Sequence, residues 1–166
     1  MNNGYLQLRA RVDRFVASVC ARYSEQINCK PGCSSCCVGG LTIVMVEAAI
    51  LGEALGIHPE RIFLQAGQPP LQEDGPCALL DDTGRCRAYA ARPLICRTQG
   101  MPLKYPDLDG VSICELNFVD QEPHSSAVFN TEHLETALFA ANLAFCRQVD
   151  LHPTSRVAID RLAQLV

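Results

Sequence analysis

Seven of the ten cysteines in this 166-residue chain fall into two tight runs. Cys29, Cys33, Cys36 and Cys37 lie within Cys-Lys-Pro-Gly-Cys-Ser-Ser-Cys-Cys. Cys77, Cys86 and Cys96 lie within Cys-Ala-Leu-Leu-Asp-Asp-Thr-Gly-Arg-Cys-Arg-Ala-Tyr-Ala-Ala-Arg-Pro-Leu-Ile-Cys-Arg. Thiols this close in sequence either oxidise to disulfides or hold a metal as thiolates. The two chemistries predict different proteins.

Composition favours the metal. Small secreted domains that rely on disulfides usually exceed about 8–10% cysteine. Here the share is 10 of 166, about 6%, with 48% hydrophobic and 19% charged residues. A chain of this length can bury a real core as one domain. Adjacent Cys36 and Cys37 also suit a disulfide framework poorly, because each would need a partner on an opposite side. Residues 1–20 read as an amphipathic helix rather than a secretory signal, with Arg9, Arg11, Asp13 and Arg14 spaced among apolar side chains. Four arginines in the first 22 residues leave a mitochondrial presequence as a lesser alternative. No apolar run is long enough to span a membrane. A cytoplasmic protein with reduced thiols is therefore the expectation. A net charge of −4 and the absence of tryptophan or a basic stripe give nucleic-acid binding no support.

Four thiolates suit one zinc ion and a four-iron (4Fe-4S) cluster equally well, and Cys33-x-x-Cys36 is a short chelating loop for either. Neighbouring Cys36 and Cys37 should diverge, so one zinc does not accommodate both. A larger cluster or two sites fits better, which tilts the reading towards iron–sulfur or towards a two-site arrangement that also uses Cys114. Cys96 should sit in the first turn of a helix, where the dipole favours a thiolate. Lys30, Arg87, Arg92 and Arg97 are placed to offset the negative charge of the sulfurs and to raise a cluster's reduction potential.

The combined pattern, Cys-x3-Cys-x2-Cys-Cys, then a cysteine and a turn, then Cys-x-x-Tyr-x-x-Arg-Pro-x-x-Cys-Arg, resembles the YkgJ-like cysteine-cluster family, associated with zinc or iron chelation. The resemblance runs in register from Cys29 to Arg97. It implies Cys29, Cys33, Cys36, Cys37, Cys77, Cys86 and Cys96 as metal ligands. It also implies Tyr89, Arg92, Pro93 and Arg97 as a supporting shell for the cofactor. A related module occurs in the longer flagellin lysine methylases, where an iron–sulfur role is implied. Their methylase activity does not carry over to a chain of 166 residues.

Other readings carry less weight. Cys29-x3-Cys33-x2-Cys36 has the spacing of radical S-adenosylmethionine enzymes, but no strand–helix alternation follows it. Cys33-Ser-Ser-Cys36 lacks the βαβ context of a thioredoxin-like pair. Cys20 and Cys146 lie on apolar helical stretches and read as small core residues. Cys114, in an irregular segment, is an even choice as an eighth ligand. His58, His124, His133 and His152 do not form a set, and Asp81-Asp82 and Glu73-Asp74 read as turn residues. No phosphate loop, nucleophile elbow or dinucleotide fingerprint occurs.

The elements that must position the cysteines follow from periodicity and breakers. Residues 5–27 read as a helix that ends before Pro31-Gly32, and Gly39-Gly40 closes the first cysteine loop. Residues 41–46 suit a strand or a helix entry, and a helix over about 45–56 stops at Gly56. Pro59 opens a short helix. Residues 77–80 and 85–88 flank a hairpin turn, and Arg92-Pro93 begins a helical turn that carries Cys96. Residues 99–129 are irregular. Helices over about 131–149, opened by Asn130 or Thr131, and about 154–165, opened by Thr154 or Ser155, end the chain.

The sequence thus predicts a mainly α, single small domain (1–166) with a central irregular or hairpin cysteine-rich metal-binding segment (core motif 29–97). The expected cofactor is an iron–sulfur cluster, for electron transfer or in support of a modification reaction, with zinc in a protein-interaction scaffold as the alternative. The expected partner is a protein or redox partner, not nucleic acid or membrane. An enzymatic activity is neither claimed nor excluded.

Overall fold

The computed structural model describes residues 3–29 and 32–166. Lys30, expected beside the sulfurs, lies outside them with Pro31. The first helix, α1 (Asn3–Arg22), buries Tyr5, Val12 and Val19, spaced seven apart on one stripe. It stops earlier than periodicity suggests. After Arg22 the backbone turns outward to a distant segment: Gln26 O accepts from Phe118 N at 2.8 Å, and Asn28 N donates to the Asn117 side chain at 2.8 Å.

β1 (Thr42–Val44) runs without a break into α2 (Met45–Ala54), so the apolar run after Gly40 serves as strand and helix entry at once. Leu55 and Gly56 close α2, and Gly56 adopts a φ of +73°. α3 (Pro59–Phe63) has its proline at the first turn, where the missing N–H costs nothing. It packs directly on α2: a Cβ at Gly52 would collide with the Ile62 side chain.

The expected hairpin at 77–88 is pared down to one antiparallel bridge, Leu80 with Cys86. The turn is held instead by Asp81, whose Oδ1 accepts from Thr83 N, Thr83 Oγ1 and Arg85 N. A 3-10 turn (Tyr89–Ala91) leads into α4 (Leu94–Thr98). β2 (Leu103–Lys104) pairs in parallel with β3 (Phe129–Asn130) in an otherwise irregular region. α5 (Thr131–Gln148) is capped by Asn130, whose side chain accepts from His133 N.

The C-terminal helix is shorter than expected. Residues 156–158 form a strand, β4 (Arg156–Ala158), and only Ile159–Ala163 is helical (α6). The reason is tertiary. β4 pairs antiparallel with β1, Ile43 opposite Val157, and both side chains are fully buried. Two strand-to-helix units, β1–α2 and β4–α6, thus lie back to back.

The described residues are mostly helix and loop with little sheet, consistent with the helical expectation. The main core gathers Ile43, Met45, Val46, Leu51, Val157 and Leu162 against α1 and α5. A smaller core holds Val19, Met101, Leu103, Phe118 and Ala127 beneath the irregular region. Buried Asn142 joins the layers: its Oδ1 accepts from Val46 N at 3.0 Å and its amide donates to Pro153 O at 2.8 Å. No described helix is long and apolar enough to cross a membrane.

Candidate metal centre

The first cysteine run lies across the loop that precedes Cys77. Cys77 N donates to Cys37 O at 2.9 Å, and Gly39 N donates to Gly75 O at 2.8 Å. This close approach requires Gly39-Gly40: a Cβ at Gly40 would lie 2.7 Å from Glu73 O, and its φ is +74°. The loop is held from its other side by Asp160 at the start of α6, whose Oδ2 accepts from Leu71 N and Gln72 N at 2.8 and 2.9 Å.

All ten cysteines are free thiols. By which thiols raise one another's pKa, eight sort into an inner and an outer quartet, with Cys20 also beside Cys29. In the inner quartet, burial pushes Cys96 up to about 12, reinforced by Cys77, Cys37 and Cys86. Cys37 is pushed up to about 11 by burial and then by Cys36, Cys77 and Cys86. Cys77 is raised by burial and by Cys86, against the lowering effect of Arg87. In the outer quartet, Cys36 is raised first by burial and then by Cys29, with Cys33 and Cys114 adding to it. The space beside Gly100 links its far members: a Cβ there would lie 3.0 Å from Cys29 Sγ and 3.6 Å from Cys114 Cβ. Cys36 and Cys37 keep their thiols in contact, yet their remaining neighbours belong to different quartets.

Each quartet has its own support. Cys96 is carried by α4, and Leu94 N at the start of that helix donates to Glu47 Oε1 at 2.8 Å. The same oxygen accepts the Tyr5 hydroxyl at 3.2 Å. Cys29 is held by Asn117, which is buried and fully engaged. Its amide donates to Cys29 Sγ at 3.3 Å and to Gly100 O at 2.8 Å, and its oxygen accepts from Asn28 N. Gly100, with a φ of +85°, supplies the close approach.

The expected supporting residues divide. Arg87 lies near Cys77 and opposes the effect of burial there, as its charge suggests. Arg97 does not serve the sulfurs in this way. Its guanidinium is buried against Asp13 of α1 at 2.7 and 3.0 Å and donates to the carbonyls of Arg92 and Ala90 at 2.7 and 2.6 Å. Arg92 stacks 3.6 Å over the exposed Tyr89 ring, and Pro93 precedes α4, its carbonyl accepting from Arg97 N. Without a metal, burial and then the neighbouring thiols of Cys77, Cys37 and Cys86 favour the protonated form of Cys96, which α4 carries in a helix of only five residues.

Cys146 is buried, as expected of a core residue. Cys20 is only partly so and borders Cys29. The histidines stay apart from the quartets in role: His124 and His152 bond to Ser126 and Thr154 in local turns. Sequence reasoning misses Asn117 and Glu47, and reads Asp13 only as a polar position of the first helix. Glu47 left a trace in the sequence, as a lone carboxylate in the apolar run Met-Val-Glu-Ala-Ala-Ile-Leu. Asn117 left none, because its role depends on three segments meeting.

Among the described residues, no three His, Cys, Asp or Glu side chains already close around one ion-sized point. The quartets are gathered but open. Their donor set nonetheless fits a soft metal: four crowded thiols repel as thiolates unless a cation stands among them.

A chain of helices and loops that gathers these thiols belongs to the class of cysteine-based metal chelators. More specifically, the chain belongs to the CxxCxxCC family, described as "Putative zinc- or iron-chelating domain", whose model matches residues 28–125. Comparison with curated proteins and with solved structures finds no match.

Proposed function

We propose that this protein carries two cysteine-ligated iron–sulfur centres and works in electron transfer to or from a protein redox partner in a reducing compartment. The outer centre is held by Cys29, Cys33, Cys36 and Cys114, the inner by Cys37, Cys77, Cys86 and Cys96. The single observation behind this is the four-and-four sorting of eight thiols, with Cys36 and Cys37 assigned to different quartets. Two centres joined through one peptide bond suit passage of an electron between them.

Ligand number argues against a single zinc ion: eight thiols gather, twice the four that one tetrahedral zinc takes. The amide that Asn117 directs at Cys29 Sγ is the kind of contact that raises a cluster's potential.

Zinc is the second reading, favoured at the inner quartet because Cys77, Cys86 and Cys96 pack against the main core, as a purely structural ion would. The domain would then be a scaffold for protein contacts. Anaerobic purification with iron, sulfide and zinc analysis separates the readings. Iron and sulfide with a visible absorption that dithionite bleaches support the clusters. Colourless protein with two zinc ions per chain replaces them with zinc, and metal-free protein refutes both.

A further inference from the structure

We propose that the exposed face of residues 105–123 is the docking surface for the redox partner, and that this partner is a basic protein with an apolar centre to its contact face. The proposal rests on the electron-transfer reading above and adds to it the chemistry of the partner and the place where it binds.

Two features coincide on this stretch. Leu108, Val111, Leu116 and Val119, all large apolar side chains, are 39–70% exposed. Interleaved with them in the chain are Asp107, Asp109, Glu115, Asp120 and Glu122, every one exposed. None of these carboxylates has an ion-pair partner among the described residues, and no lysine or arginine occurs between Lys104 and Arg147. Single exposed apolar side chains are ordinary on a surface. A run of them among charges of one sign marks an interaction site.

The apolar side chains do not fold back, because the backbone that carries them is anchored. Leu103 and Ser112 exchange two hydrogen bonds of 2.8 Å, and Phe118 N donates to Gln26 O at 2.8 Å. Phe118 holds a φ of +53° and turns its ring into the smaller core, 5.1 Å from Tyr23. Its neighbours Leu116 and Val119 stay outside. A surface fixed in advance loses little freedom on docking. A groove of about 410 Å³ opens along it, lined by Val111, Pro123 and Val128 with Lys104, Ser125 and Asn130.

Charge selects the occupant. The carboxylates repel the phosphates of nucleic acid and of anionic lipid, and the apolar side chains gain nothing from a bare metal cation. A protein with lysines or arginines ringed around apolar side chains complements both features, and the unpaired charge steers its approach. The same stretch carries Cys114, and Glu115 lines a cleft together with Cys36 and Cys114. A docked carrier therefore lies beside those thiols. One electron leaves the reduced centre, and the carrier is reduced by one.

The test uses the full chain as purified anaerobically, with cytochrome c, a basic one-electron carrier, as the probe. Calorimetry at low ionic strength should show binding. Neutralising the surface (Asp107→Asn, Asp109→Asn, Asp120→Asn and Glu122→Gln together) should weaken it at least about tenfold. Neutralising four exposed carboxylates on other elements (Glu53→Gln, Glu60→Gln, Asp82→Asn and Asp150→Asn) should weaken it less than about twofold. Leu108→Ser with Val119→Ser, at unchanged charge, should weaken it several-fold and leave the metal content as it was. Absence of binding, equal loss in the two neutralised proteins, or no loss in the serine variant overturns the docking surface. Electron transfer is read separately, as reduction of ferric cytochrome c by protein that has been reduced with dithionite and desalted. Surface-dependent binding without that reduction overturns the electron-transfer reading and leaves a docking surface for a basic protein standing. Reduction that is indifferent to the surface variants does the reverse.

Discussion

The side-chain amide of Asn117 lies 3.3 Å from the sulfur of Cys29, across 88 residues of sequence. The same side chain accepts from Asn28 N and donates to Gly100 O, so one buried amide fixes three backbone segments around one thiol. Asn117→Ala would leave Asn28 N and Gly100 O without their partner, at a cost of about 1–3 kcal/mol. If the proposed outer cluster is present, it should also lower that cluster's reduction potential by removing an N–H···S contact. Asn117→Asp would turn an acceptor of negative charge towards the sulfur and should empty the outer site. Urea denaturation, metal analysis and potentiometry separate the three effects. An unaltered potential in Asn117→Ala would show that the amide only supports the backbone.

The crowded thiols give the metal-free chain a definite alkaline limit. Cys96 is pushed up to about 12 and Cys37 up to about 11, by burial first and neighbouring thiols second. Their ordinary value is 9.0, so the folded state keeps protons that the unfolded chain releases. The stability tied to these thiols is therefore complete below pH 9 and declines as pH rises towards 11–12. Metal capture runs the other way, since it requires thiolates and releases protons, and should tighten with rising pH. Denaturation of the metal-free protein and metal titration across the same alkaline range should show opposite slopes.

Glu47 is a buried carboxylate that accepts Tyr5 Oη–H and Leu94 N–H, with the N–H of Val44 also near it. Burial raises its pKa above 4.5 despite those donors. The proton is held more tightly in the folded state, so stability is greatest below the ordinary value and falls as pH climbs through the raised one. Glu47→Gln retains an acceptor for Tyr5 and Leu94 and should flatten that acidic slope. Glu47→Ala leaves the donors unsatisfied and should cost about 1–3 kcal/mol at neutral pH. Thermal unfolding from acidic to neutral pH would expose the difference, and a slope that persists in Glu47→Gln would place its origin elsewhere.

Arg97 should matter to the fold before it matters to a cofactor. Its side chain is 7% exposed, and its partner Asp13 is 47% exposed. Because Asp13 is half in water, Asp13→Ala should cost only about 1–3 kcal/mol, mostly from the uncompensated guanidinium. Arg97→Lys should lose part of that as well, because one ammonium cannot reach Asp13 and the two carbonyls in the same planar arrangement. Inner-centre metal content should survive Asp13→Ala in protein that remains folded. Its loss would tie Arg97 directly to the ligand shell.

Much of the helical frame was legible because local chemistry decides it. The stripe through Val12 and Val19, Pro59 at a first turn and the Asn130 cap each act within a few residues. The 154–165 segment departs from its local pattern for the opposite reason. Arg156–Ala158 reads as the start of a helix until Thr42–Val44 offers an unpaired strand edge beside it. The hairpin at 77–88 is less regular than its sequence suggests, because Asp81 holds its turn without a strand ladder.

By itself the sequence determined the chemistry: many thiols at chelating spacing, in a family associated with zinc or iron. Only the tertiary structure decided which sulfur neighbours which. Cys36 and Cys37 are one bond apart in the chain, yet the folding of the 77–96 and 114–117 segments sends their environments in different directions. It likewise turned Arg97 to Asp13 and brought Asn117 to Cys29. Thiol content is a property of residue type and can be read one position at a time. The pairing of thiols, and of charges with partners, depends on chain segments tens of residues apart, and their meeting is set by the packing of the whole core.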